Sequence, residues 1–324
     1  MADQEIMDPN VRYLAEEIAE NHADGLLSRR EAMRRLGYLG VTVMGASALL
    51  AACGGGGGEG AADDPTAPAT ETTSADSPTP GGGQTAPAAP PTTGAPLPVE
   101  DITYPGRGTT LLGVFAAAAS PKGAVLVIHE NQGVTPFVRS MVGRLAGSGY
   151  SALAVDLLSA QGGTATFTDP ATIGPALTAN ATDRSVDDMK SSLTELARRT
   201  PGAKLAAIGF CFGGGMVWEL LKAGGSPELA AAIPFYGQAN NPDFARTDAA
   251  VLAVYAENDA RVNANQPVVK AALESASVTH EVRTFPGVNH AFVRSIDDPT
   301  AGPAHTQAQA AFGAMLAWFD RHLR

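Results

Sequence analysis

Leu205-Ala206-Ala207-Ile208-Gly209-Phe210-Cys211-Phe212-Gly213-Gly214-Gly215 runs from an apolar segment through a Gly-x-Cys-x-Gly turn into a sequence fit for a helix. The run at 205–210 has no polar alternation, as expected of a strand covered on both faces. Glycines two before and two after Cys211 remove side chains where strand and helix approach closely. This is the strand–turn–helix pattern of a nucleophile elbow, with sulfur where a hydroxyl is usual. A cysteine there sits in strained backbone at the amino end of a helix, where the dipole favours thiolate and backbone N–H groups face a developing oxyanion. The bland alternative is a structural cysteine buried on a strand. The flanking glycines favour the elbow.

Outward from the elbow, the same grammar repeats. Residues 125–129, 152–157, 231–236 and 251–255 are short runs rich in Val, Ile, Leu and Ala that read as buried strands. Between them, 137–146, 186–199, 214–222 and 266–275 carry helical spacing, with Asp183 placed to cap the second. Segments 102–104 and 111–117 read as an antiparallel edge. Residues 305–323 form a closing helix with Phe312, Met315, Leu316 and Phe319 on its inner face. The alternation predicts an α/β fold: a doubly wound, mostly parallel sheet with helices on both faces. The 226 residues from 99 to 324 suffice for one well-buried core, with no internal repeat and no second domain.

A nucleophile needs a base, and the base an orienting group. The strand at 251–255 leads into Ala256-Glu257-Asn258-Asp259, and a following strand at 281–285 into Pro286-Gly287-Val288-Asn289-His290. Asp259 and His290 are therefore the candidate acid and base. Glu257 competes for the acid role, but Asp259 lies further past the strand end. The chain order Cys, Asp, His is that of the α/β-hydrolases. His280 opens its strand, at the wrong end of the sheet, and His22, His129, His305 and His322 have no comparable context.

These residues resemble the dienelactone hydrolase (carboxymethylenebutenolidase) family over the whole of 99–324. The family's Gly-x-Cys-x-Gly-Gly elbow corresponds to Gly209, Cys211, Gly213 and Gly214, and its Glu-x-x-Gly turn to Glu130-Asn131-Gln132-Gly133. Arg294 lies four residues beyond His290, as in family members. The resemblance implies a cofactor-free carboxylic ester hydrolase that opens a small-molecule ester or lactone through an acyl-enzyme on Cys211. It implies a resting neutral thiol whose proton passes to Glu130 when substrate binds, with His290 and Asp259 serving the acyl-enzyme. It implies backbone N–H groups of Phe212 and Asn131 as oxyanion donors. Arg294 would bind a substrate carboxylate or hold Glu130 away between turnovers. One departure stands out: Asp156-Leu157-Leu158 is followed by Ser159-Ala160-Gln161, without the second Arg of members that open the carboxylated lactone. Losing a cation from a carboxylate clamp removes a strong, charge-assisted pair.

The first hundred residues carry a different signal. Ser28-Arg29-Arg30-Glu31-Ala32-Met33-Arg34-Arg35 precedes an uncharged stretch at 36–52 that is short for a membrane span. It ends in Leu50-Ala51-Ala52-Cys53. Paired arginines before a weakly apolar segment resemble a twin-arginine export signal, and the last four residues resemble a lipobox with Cys53 as lipid acceptor. Residues 1–53 thus read as a signal segment. Residues 9–27 within it have an amphipathic helical pattern (Val11, Leu14, Ile18), and would leave with the signal. Residues 54–98, almost wholly Gly, Ala, Pro, Thr, Asp and Ser, read as a flexible tether, and 99–324 as the globular domain. The expectation is a monomeric lipoprotein on the outer side of a bacterial cytoplasmic membrane, touching the membrane only through its lipid.

Composition excludes other classes. The net charge of −11 and scattered basic residues argue against nucleic acid as a partner. Two cysteines in unrelated contexts make no disulfide framework, and no Cys/His spacing suggests a zinc site. Two further classes remain in view: a thiol redox protein using Cys211, which lacks a resolving cysteine, and a non-catalytic surface binding module on a hydrolase fold.

Overall fold

Apolar runs without alternation become the interior of one eight-stranded sheet. The computed structural model describes residues 9–23, 27–53 and 94–324. Its strands are β1 (Glu100–Pro105), β2 (Thr110–Ala116), β3 (Gly123–Ile128), β4 (Tyr150–Val155), β5 (Leu205–Phe210), β6 (Leu229–Phe235), β7 (Ala250–Ala256) and β8 (His280–Phe285). They lie in the order β1-β2-β4-β3-β5-β6-β7-β8. β2 is antiparallel to both β1 and β4, and from β4 to β8 all neighbours are parallel. Every residue of β3, β4 and β5 is buried. Successive strand side chains point to opposite faces, so helices must cover both. The outermost strands, β1 and β8, are largely exposed or half-buried. The α/β, doubly wound expectation is the observed architecture.

The helices are α1 (Pro9–Ala23), α2 (Arg29–Tyr38), α3 (Val43–Cys53), α4 (Pro136–Gly147), α5 (Ile173–Ala179), α6 (Thr182–Arg199), α7 (Phe212–Lys222), α8 (Ala260–Asn263), α9 (Gln266–Ser275) and α10 (Pro303–His322). Phe312, Met315, Leu316 and Phe319 of α10 are buried, as their spacing predicts. One local expectation needs correction. Asp183 does not cap α6: Ala181 holds the cap position and Asp183 sits in the first turn, where its charge still faces the positive end of the dipole. Within the uncharged stretch at 36–52 the chain turns at Gly40 (φ +77°) between α2 and α3. α5 and α8 had no sequence signal, being too short for a helical period to show.

Most of the tether, residues 54–93, lies outside the described residues. Its last five residues run along α4, where the Leu97 N–H donates to the Gly143 carbonyl at 2.9 Å. The packing of the domain therefore extends at least to Gly94. No described helix is long and apolar enough to cross a membrane.

The sheet order fixes where chemistry can sit. From β3 the chain passes through α4 to β4 on one side, then returns through α6 to β5 on the other. Such a reversal opens a crevice beyond the carboxyl ends of the two central strands. Ile128 of β3 and Gly209 of β5 are in register, so Glu130 and Cys211 emerge side by side at that crevice.

Candidate active site

Cys211 is the turn between β5 and α7, with φ 56° and ψ −117°. A non-glycine residue at positive φ is strained and persists only where its surroundings hold it. Here its N–H is tied to the Phe235 carbonyl at 3.0 Å, and the strand and helix on either side are packed. A Cβ on Gly209 would collide with the Gly213 carbonyl, and one on Gly213 with the Ile128 and His129 carbonyls. The elbow's glycines are thus required by close backbone approach. The thiol is fully buried. Burial, followed by the nearby carboxylates of Glu17 and Glu130, pushes it well above the usual cysteine range, so the resting group is a neutral thiol.

Two later loops supply an acid and a base. Asp259 caps α8, accepting from the Val262 N–H at 3.1 Å through Oδ1. Its Oδ2 accepts from Nδ1 of His290 at 2.5 Å. Asp259 has no exposed surface and His290 is 9% exposed. Burial by itself would lower the His290 pKa, but the hydrogen bond and charge of Asp259 outweigh it and hold the imidazole above its ordinary value. Among the described residues His290 Nε2 has no hydrogen-bond partner. The competing acid, Glu257, is exposed and accepts from the Gly287 N–H at 2.8 Å, away from His290.

Glu130, 1% exposed, follows β3 and His129. Arg294 Nε donates to both of its carboxylate oxygens, at 3.0 and 2.8 Å. Burial nevertheless raises the Glu130 pKa, with Arg294 opposing. His129 has both ring nitrogens engaged: Nδ1 donates to the Glu130 carbonyl at 2.6 Å, and Nε2 accepts from the Leu157 N–H at 3.1 Å. It pins the two strand-end loops together, a structural role. Asp156, next to the missing cation, accepts from the N–H groups of Leu158 and Thr164 and so shapes its own loop. Phe212 is the first residue of α7, and Asn131 lies in the turn closed by the Gly133 N–H on the Glu130 carbonyl.

Three neighbours of the site were not singled out from sequence. Tyr236, at φ 38° just past β6, stacks edge-on against His290 with ring centroids 5.0 Å apart. Its strand-end position was the only available hint. Tyr13 and Glu17 come from α1. The Tyr13 hydroxyl donates to Cys211 Sγ at 3.7 Å, and Glu17 Oε1 accepts from Asn131 Nδ2 at 2.7 Å. One donor atom each from Glu17, Cys211 and His290 lie within 4.8 Å of one another, a set of ligand types that could hold a zinc-class cation. The amphipathic pattern of α1 was legible, but not the surface it would meet. A cleft of about 350 Å³ lined by Leu112, Val134, Arg139, Asp156 and Thr164 touches none of Cys211, His290, Asp259 or Glu130.

Residues 111–323 match the model of the Dienelactone hydrolase family. A "Putative carboxymethylenebutenolidase" of Salmonella typhi is 29% identical over 237 residues, covering 68% of this chain and 86% of that protein. A protein of the same name from Escherichia coli (strain K12) is 30% identical over 218 residues, covering 62% and 78%. The solved structure of a "Putative Dienelactone Hydrolase" from Klebsiella pneumoniae subsp. pneumoniae superposes with a TM-score of 0.60 at 25% identity. That match covers 69% of this chain and 98% of the Klebsiella chain, so a domain of this extent exists as a folded protein by itself. With the family's match spanning the sheet from β2 onward and the elbow within it, the chain belongs to the dienelactone hydrolase family and is a hydrolase acting on esters or lactones.

Proposed function

We propose that Cys211 is the nucleophile of this hydrolase and that turnover passes through a thioester on it. One observation carries the reading: a cysteine at φ 56° in a glycine-lined strand-to-helix turn, at the amino end of α7, in a buried cluster with His290 and Glu130. Strain of this kind is kept where a side chain must be presented. In the first half-reaction Glu130 leaves Arg294 and takes the thiol proton, and the thiolate attacks the carbonyl carbon. The N–H groups of Phe212 and Asn131 receive the oxyanion, and its collapse expels the alkoxide, which regains a proton from Glu130. A basic, buried carboxylate suits that task, because burial holds its pKa up. In the second half-reaction His290, oriented by Asp259, takes a proton from water. The water attacks the thioester, and the thiolate that leaves takes the proton held by His290, which restores the neutral thiol and the neutral imidazole.

The substrate is an ester or lactone that does not rely on a second carboxylate clamp, since the loop after Asp156 offers no cation there. Turnover of p-nitrophenyl acetate, lost in Cys211→Ser, with a mass adduct on Cys211 under quenched conditions, tests the chemistry. A redox sensor or a mere binding module would give no turnover at all.

We propose further that residues 1–53 direct export and that Cys53 is lipidated, with 54–98 as tether, its last five residues lying along α4. Arg29-Arg30 and Leu50-Ala51-Ala52-Cys53 support this. Intact mass of membrane-fraction protein should give a chain starting at acylated Cys53; a soluble chain retaining Met1 or Ala2 would overturn it.

A further inference from the structure

The leader-like helices do not stand apart from the catalytic domain. Their contacts converge on one spot. α1 lays Tyr13, Leu14 and Glu17 onto the mouth of the site, with exposures of 7%, 1% and 1%. Tyr13 reaches the sulfur of Cys211 at 3.7 Å, and its ring lies 4.7 Å from the Arg261 guanidinium. Glu17 holds Asn131, the residue of the Glu-x-x-Gly turn assigned to the oxyanion. Nucleophile and oxyanion turn are thus both met by one helix, and its Glu17 carboxylate lies within 4.8 Å of a ring nitrogen of His290. Two gaps beside it among the described residues measure about 20 Å³, next to Leu14, Ile18 and Asn131, and about 10 Å³, next to Tyr13, Phe212 and Gly215. Such gaps hold a water molecule at most. No acyl group can approach Cys211, which has no exposed surface, while α1 is in place.

We propose that residues 9–52 are an intramolecular inhibitor of this hydrolase, with α1 as the segment that fills the substrate site. The inference rests on the reading of Cys211 as nucleophile. α1, α2 and α3 share a small core of their own, including Ala15, Ile18, Ala19, Leu36 and Leu50, so they can leave as one body. Their grip on the domain is the burial of Tyr13 and Leu14 in the main core with Leu39 packed beside it, the Tyr13 and Glu17 contacts just described, and the exposed contacts of Arg34 and Tyr38 with Asp169, of which the exposed ones contribute little. The closed state also carries a cost. Glu17 Oε2 makes no hydrogen bond of ordinary geometry among the described residues and has only the weakly donating Cys211 thiol near it, and a buried carboxylate so poorly satisfied disfavours the arrangement that buries it. The cover is therefore releasable. It is kept in place by high local concentration, since its covalent link to the domain runs through residues 54–93. A cut ahead of Cys53, the event the export reading calls for, would end that link at the foot of α3. The folded precursor would be closed and the processed enzyme open.

Two perturbations of the full chain test this. Tyr13→Ala with Leu14→Asp removes the plug and puts a charge where α1 meets the core. Separately, a specific protease site placed within residues 54–93 allows the intact, folded chain to be cut and diluted without touching the domain. Both should raise the rate of Cys211 alkylation by iodoacetamide, mapped by peptide mass to separate it from Cys53. Both should also raise kcat/KM on p-nitrophenyl acetate, each by at least about tenfold, the effect of a site open a tenth of the time or less. Equal rates in the uncut wild-type chain would overturn the inhibitor. Alkylation that accelerates on cutting, with no ester turnover in any form, would uphold the cover and count against the hydrolytic role of Cys211.

Discussion

Glu130→Gln is the substitution that separates the proposed activation from a plain Cys–His pair. In a chain beginning at Gly94, free of α1, glutamine keeps the size of Glu130 and one acceptor for Arg294 Nε, which now holds both carboxylate oxygens at 3.0 and 2.8 Å. It removes the only proposed acceptor for the thiol proton. General-base catalysis is worth about 10²–10⁴, which at about 1.36 kcal/mol per tenfold is roughly 3–5 kcal/mol of barrier. The cost to the fold is bounded from both sides: Glu130 is 1% and Arg294 31% exposed, so the loss lies between about 1 kcal/mol for an exposed pair and about 3–5 kcal/mol for a broken buried one, and Tm falls by about 2–4 °C per kcal/mol for a domain of this size. Single-turnover stopped flow with a chromogenic ester reads acylation directly. Acylation should fall by the full factor while His290→Ala acylates and then stalls as a thioester on Cys211. If Glu130→Gln acylates at the wild-type rate and His290→Ala does not acylate, His290 is the base and the carboxylate is structural.

The pH dependence should report the Asp259–His290 pair. Deacylation needs neutral His290, and Asp259 holds its pKa above the ordinary value, so the deacylation rate should rise with pH along a limb above about 6.5. Asp259→Asn should move that limb down and slow the step, whereas Glu257→Ala should change neither; a limb unmoved by Asp259→Asn would detach the acid from the base. The same shift has a stability sign. A raised folded-state histidine pKa stabilises below its unfolded value and that contribution is lost as pH rises through the folded pKa, so urea midpoints should show a His290-dependent decline across that window. Gly209→Ala drives a Cβ into the Gly213 carbonyl and should cost about 1–3 kcal/mol or more, read as a lower urea midpoint; a neutral result would mean that strand and helix can part.

Much of this protein was settled by local sequence. Unalternating apolar runs state that a strand is buried on both faces, so the parallel sheet followed from 125–129, 152–157 and 205–210 alone. The elbow was legible because backbone proximity leaves only glycine at positions 209 and 213, and a requirement that strict marks the sequence. Cys211, Asp259 and His290 could be named because each follows a strand, and strand ends gather on one edge of a parallel sheet. Other features depend on which surfaces meet, and sequence carries no record of that. Asp259 rather than Glu257 reaches His290 because the tight turn into α8 points one carboxylate inward and leaves the other in water. The Arg294–Glu130 pair spans 164 residues; the family resemblance offered it as one of two roles for Arg294, and the closure of the β8 loop onto the β3 turn is what brings the two side chains together here. α1 is the clearest case. Its period announced an amphipathic helix and its position announced a leader, yet neither says that Tyr13 and Glu17 would lie on Cys211 and Asn131. An apolar face specifies that something must cover it. The shape of the crevice at the β3/β5 reversal decides that this face covers the active site.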